Sequence, residues 1–150
     1  MRLEGKVAIV TGGGSGFGEG IVAKMVAEGA QVVVMDRDGA AAGRVAAAAG
    51  PAARAITGDV SQAAGFEAAR DLALAAFGGL DILVNNAGVG HVPTPLDAID
   101  EATFDRIATV NMRSVYHGAR VIVPHFKAQK SGAILHVAST GGGSPRPIPS

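Results

Sequence analysis

Five short apolar runs alternate with segments of helical periodicity, and that alternation decides what this chain can fold into. Lys6–Thr11 (KVAIVT), Gln31–Met35 (QVVVM), Arg54–Thr57, Asp81–Asn85 (DILVN) and Gly132–Ala138 (GAILHVA) are short and mostly aliphatic or β-branched. Such runs suit strands buried on both faces. After the first run, Ile21, Val22, Met25 and Val26 recur at spacings of three and four, and Gly29 is placed to cap that helix. An alanine-rich helix is expected over Gly39–Ala49, stopping at Gly50-Pro51. Ser61 is an N-cap candidate for a helix running through Phe77, with Phe66, Ala69, Ala73 and Phe77 on one face. A long helix from about Asp100 carries a stripe of Phe104, Ile107, Val110, Val115, Tyr116, Ala119 and Ile122, and Pro124 bends or ends it. Strand following helix in this way predicts an α/β fold, a doubly wound parallel sheet in three αβα layers. The 150 residues make one domain, with no repeat or linker to divide them.

Composition narrows the function classes. Apolar residues are 48% of the chain and charged residues 17%, enough for a core and too few charges for disorder. The 13 basic and 13 acidic residues balance, with no block of like charge. Neither nucleic acid nor an anionic membrane is therefore an expected partner. With no cysteine, disulfides, zinc–thiolate sites and a thiol nucleophile are excluded, which fits a cytoplasmic protein. The apolar run Val7–Val10 is too short for a signal-peptide core or a membrane span. His91, His117, His125 and His136 are scattered without ligand spacing, so no metal is expected.

Ligands of doubly wound sheets sit beyond the carboxyl ends of the strands, at the switch in strand order. Thr11, Asp36, Asp59, Asn85 and Ser139 all fall at or just after predicted strand ends. The first turn reads Thr11-Gly12-Gly13-Gly14-Ser15-Gly16-Phe17-Gly18. Its glycines let a diphosphate approach the backbone, and the following helix points free N–H groups and a positive dipole end at it. No Lys-Ser or Lys-Thr pair follows, so it is not a P-loop. A tight strand-to-helix turn without ligand is the plainer alternative. Asp36 stands 20 residues beyond Gly16. A carboxylate there accepts the adenosine ribose hydroxyls and repels a 2′-phosphate, which favours NAD. Arg37 beside it is able to accommodate that phosphate, which keeps NADP as the second choice.

Together these residues resemble the short-chain dehydrogenase/reductase family of the compact type. The matching motifs are T-G-x-x-x-G-x-G at Thr11, Gly12, Gly16 and Gly18; Asp59-Val60 after the third strand; Asn85-Asn86-Ala87-Gly88 after the fourth; Asn111 in the long helix; and Ser139 after the fifth. The resemblance implies a Rossmann-type domain that binds NAD through Gly12, Ser15, Gly16, Phe17, Gly18, Asp36, Arg37, Asp59, Val60, Asn86, Ala87 and Gly88. Asp59 would accept from the adenine amino group and Val60 would back the ring. Asn85 is as well explained by tying neighbouring strands together as by touching the cofactor. Phe17 replaces the aliphatic residue more usual there. Ser139 would orient a substrate carbonyl or alcohol oxygen, and Asn111 would hold a water in a proton relay; a strand-end serine bonding its own loop and a locally satisfied helix kink are the alternatives.

Hydride transfer to a ketone also needs a proton donor. In the family this is a tyrosine followed one turn later by a lysine, and the spacing from Ser139 places it just past Ser150. Tyr116, the one tyrosine present, lies on the apolar stripe of the long helix, and Tyr116–Arg120 is read as packing rather than as this pair. The 150 residues are accordingly expected to be the N-terminal part of a longer enzyme, lacking the tyrosine–lysine helix and the last strands. Left unpaired, the fifth strand would expose an apolar edge and the long helix its stripe, which the family uses to form a homo-oligomer, a dimer or tetramer. The implied reaction interconverts a secondary alcohol and a ketone, on a small-molecule sugar, polyol, secondary alcohol or 3-oxoacyl substrate. A catalytically inactive NAD-binding module and a ligand-free interaction domain are the competing readings.

Overall fold

The structure, a computed structural model, describes residues 1–138. Its five strands are β1 (Val7–Thr11), β2 (Gln31–Asp36), β3 (Ala53–Thr57), β4 (Ile82–Asn85) and β5 (Ala133–His136). They form one parallel sheet in the order β3-β2-β1-β4-β5. The helices are α1 (Gly16–Ala27), α2 (Gly39–Ala49), α3 (Ala63–Phe77), α4 (Glu101–Ala108) and α5 (Ser114–Gln129). The chain winds outward through β1, β2 and β3, then crosses back so that β4 lies on the other side of β1. The switch in strand order is therefore between β1 and β4.

The unbroken apolar runs follow from helices on both faces. Val7, Ile9, Val33, Met35 and Leu83 pack with Phe66, Ala69 and Ala73 of α3 and Val121, Ile122 and Phe126 of α5. Their alternating neighbours Ala8, Val10, Val32, Val34 and Val84 pack with Val22 and Met25 of α1 and Ala42, Val45 and Ala46 of α2. Each fully buried aliphatic side chain contributes ~1.5–3 kcal/mol, so polar residues are excluded from both sides of these strands. At the edge of the described sheet the burial falls away: β5 pairs with β4 on one side, and three of its four residues are exposed.

Three sequence expectations are corrected. Helix α3 begins at Ala63 after Gln62, and Ser61 lies in the preceding turn, where its N–H donates to Asp59 Oδ1 at 2.8 Å. Pro124 does not end α5, which runs on to Gln129. The single long helix is α4 and α5 joined through a π turn, Thr109–Arg113. A π turn adds a residue to one turn and rotates everything after it relative to everything before. The buried face of α5 is consequently Ser114, Gly118, Val121, Ile122 and Phe126, while Phe104 and Tyr116 of the expected stripe are exposed.

Candidate functional site

At the carboxyl ends of β1, β2 and β4 the structure opens a cleft of about 380 Å³. Gly12, Ser15, Phe17, Asp36, Arg37, Asp59, Val60, Asn86, Ala87 and Gly88 line it, joined by Gly58, Val89 and Val110. These last three were not anticipated; Val89 and Gly58 merely adjoin motif residues, and Val110 reaches the cleft through the π turn. Gly16, which is exposed, and Gly18, which is buried, do not line it. Gly12 has φ +62°, and a Cβ on it would lie 2.9 Å from Ala87 Cα. A Cβ on Gly18 would collide with the Gly12 carbonyl oxygen. The glycines thus bring β1, α1 and the loop after β4 into backbone contact. Helix α1 starts here, and its N-cap Ser15 makes no side-chain capping bond, which leaves the first-turn N–H groups without that partner.

Two carboxylates flank this turn. Asp36, at the end of β2, accepts from Gly14 N at 2.9 Å through Oδ2 and from Asp38 N at 2.9 Å through Oδ1. Asp59 is held below the ordinary aspartate pKa of 3.8, chiefly by hydrogen bonding from the Ser61 side chain, then by the Ser61 N–H, with Arg37 adding a smaller attraction. Since the folded value lies below the unfolded one, this interaction stabilises the fold above the unfolded pKa and is lost as pH falls through the folded value. Ser61→Ala is expected to move the Asp59 titration upward. A carboxyl-carbon NMR titration in which Asp59 titrates as before would show that the serine is not the cause.

The wall beside the cleft is the segment Asn86 to Val89, and it is stitched from both sides. Thr11 Oγ1, fully buried, accepts from Asn86 N and Ala87 N at 3.1 Å each and donates to Val84 O at 3.3 Å. Asn86 Nδ2 donates to the carbonyls of Thr11 and Gly12, both at 3.1 Å. From the π turn, Asn111 Oδ1 accepts from Val89 N at 2.7 Å and Nδ2 donates to Val89 O at 2.8 Å. Asn111 is thus neither a free mid-helix amide nor bonded within its own helix: it clamps the loop. Asn85 Nδ2 lies 3.2 Å from His136 Nδ1 and links β4 to β5.

Beyond that wall lies a second cleft of about 630 Å³, bounded by Asn111, Ser114, Val115, His136, Val137 and Ala138. Phe17, Asn86, Ala87, Gly88 and Val89 line both clefts. Phe17 is 85% exposed and stands at the boundary between them. Tyr116 lines neither, being 55% exposed on α5 with its ring edge-on to His117. Ser139 lies outside the described residues.

The sequence family described as short chain dehydrogenase matches residues 6–149. The chain belongs to that family. Among short-chain dehydrogenases it is 45% identical to 4-formylbenzenesulfonate dehydrogenase TsaC1/TsaC2 of Comamonas testosteroni, over 98% of this chain and 60% of the relative. It is likewise 45% identical to the 3-alpha-(or 20-beta)-hydroxysteroid dehydrogenase of Mycobacterium tuberculosis, over 94% of this chain and 54% of that one. The fold is similar to the crystal structure of 3-ketoacyl-(acyl-carrier-protein) reductase from Brucella melitensis complexed with NADH. The TM-score is 0.92 and the identity 52%, over 97% of this chain and 62% of that chain. The chain therefore spans between about half and three-fifths of these short-chain dehydrogenases. Among the described residues, no helix is long and apolar enough to cross a membrane, and no three His, Asp or Glu side chains gather as metal ligands.

Proposed function

We propose that this chain supplies the dinucleotide site of an NAD-dependent oxidoreductase that interconverts a secondary alcohol and a ketone. One observation carries the reading: a single cleft at the switch point joins an uncapped helix N-terminus, a glycine turn in backbone contact with the next loop, and Asp36 at the end of β2. The residues fit the group. The α1 amides and dipole would receive the diphosphate; Asp36, each of whose oxygens already accepts one N–H, keeps lone pairs for ribose hydroxyls; Asp59 would accept the adenine amine, with Val60 behind the ring. The bound dinucleotide supplies or takes the hydride. Ser139, which follows Ala138 at the second cleft, is proposed to hydrogen-bond the reacting oxygen. Asn111 is proposed to serve catalysis as well as to clamp the loop.

The substrate is proposed as a small alcohol or ketone entering the second cleft. Relatives named for a formylbenzenesulfonate, a hydroxysteroid and a 3-ketoacyl-(acyl-carrier-protein) support this class without choosing within it. Self-association through the exposed Phe104, Met112 and Tyr116 face is part of the same proposal.

Asp36→Ala tests the cofactor assignment. Removing a charged acceptor of ribose hydroxyls is expected to weaken NAD binding roughly tenfold to hundredfold, as befits ~1.5–3 kcal/mol, and to relax rejection of NADP. Unchanged affinity for both dinucleotides, measured by calorimetric titration, would remove Asp36 from the site.

A further inference from the structure

Gly14 occupies one of the variable positions of the glycine turn, yet it is held from both sides. Its N–H donates to Asp36 Oδ2 at 2.9 Å. Its carbonyl accepts from Arg44 Nη2 at 3.0 Å. A Cβ at this position would lie 2.8 Å from Asp36 Oδ2 and 2.9 Å from Ala41 Cβ, so the residue is pressed between β2 and α2. Arg44 belongs to α2 and does not line the cleft. The same guanidinium reaches α1, where Nη1 and Nη2 donate to Glu19 Oε1 and Oε2 at 3.0 and 3.2 Å. One side chain thus joins α2, the turn and α1.

We infer that Arg44 is a positioning residue for dinucleotide binding, acting through Gly14 on Ser15 and Asp36. A trans peptide is planar, with its carbonyl and N–H on opposite edges. Holding the Gly14 carbonyl toward Arg44 turns the Ser15 N–H away from it, and Ser15 lines the cleft. The other face of Gly14 aims its N–H at the Asp36 carboxylate, the group proposed to choose between NAD and NADP. The Glu19 carboxyl is held below its ordinary range, first by its hydrogen bond from Arg44 and then by the attraction between the charges. As a surface ion pair it would add little to stability, with side chains 58% and 42% exposed. Its geometry bears instead on the turn. A planar fork that engages two partners at once is a property of arginine, which lysine does not reproduce.

The inference rests on the dinucleotide reading, and one titration separates the two. NADH and NADPH are titrated by nicotinamide fluorescence into the unaltered protein and into Arg44→Met and Arg44→Lys variants. Both variants are expected to bind NADH roughly fivefold to tenfold more weakly, less than the loss of a direct charge-assisted contact because Arg44 acts through Gly14, with a smaller loss for NADPH. General loosening of the fold would weaken both ligands equally and leave their ratio alone. Arg44→Lys keeps the charge and the stem at an exposed helix position, so it decides the matter if Arg44→Met does not fold. No binding by the unaltered protein overturns the dinucleotide reading, and the role of Arg44 with it. Binding by the unaltered protein, with the variants matching it or weakened equally for both ligands, overturns the role of Arg44 alone.

Discussion

Gly18→Ala is expected to abolish high-affinity NADH binding, by on the order of a hundredfold, and to lower stability by ~1–3 kcal/mol. The added methyl group would sit on the Gly12 carbonyl oxygen and beside Asn86 Nδ2. The carbonyl is main chain and has no rotamer to give. Relief must come from moving the start of α1 away from β1, and that start is the proposed diphosphate seat. Asn86 would also lose its grip on the carbonyls of Thr11 and Gly12. Fluorescence titration and thermal unfolding measure the two effects separately. A G18A protein that binds NADH as tightly as the unaltered one would mean that the contact between α1 and Gly12 does not set the geometry of the cleft.

Thr11→Val should destabilise the fold by ~2–4 kcal/mol, although the two side chains have nearly the same shape. The substitution leaves the N–H groups of Asn86 and Ala87 facing a methyl group, in a place where Thr11 itself is fully buried. Each buried donor left unpaired costs ~1–3 kcal/mol, more than the net worth of an average hydrogen bond. Thr11→Ser restores the oxygen and should cost only the lost methyl group, ~1 kcal/mol. Denaturant unfolding of the pair distinguishes hydroxyl from volume. Equal stability of T11V and the unaltered protein would show that the loop after β4 is held elsewhere.

These cases mark what the residues reveal on their own. The strands were legible because helices cover both faces of the sheet, and Val32–Met35 could not be anything but apolar. Helix α2 was legible from Gly39 to Ala49 because its alanine run and its stop at Gly50-Pro51 act locally; the structure adds Asp38 as its N-cap, accepting from Ala41 N. Most of the cleft lining could be named in advance, since Asp36, Asp59 and Asn86 follow strand ends and the topology brings those ends together. The rest depends on partners far away in the chain. Thr11 owes its role to groups 75 and 76 residues on, and Arg44 reaches Gly14 across 30 residues. Neither bond has a local pattern. The long helix was read as continuous for a different reason: a 3.6-residue period was carried through a π turn that breaks it.

That π turn also settles how the partition between the two clefts behaves. Asn111 holds Val89 by a pair of opposed hydrogen bonds, much as a neighbouring strand would, while Thr11 anchors the same loop at its other end. A loop pinned at both ends has already surrendered its conformational entropy during folding. A ligand arriving on either side meets a finished surface and spends little of its interaction energy on ordering it. On the proposed function, preorganisation of this kind would appear as a modest entropic penalty on binding, with the wall a common datum for dinucleotide and substrate.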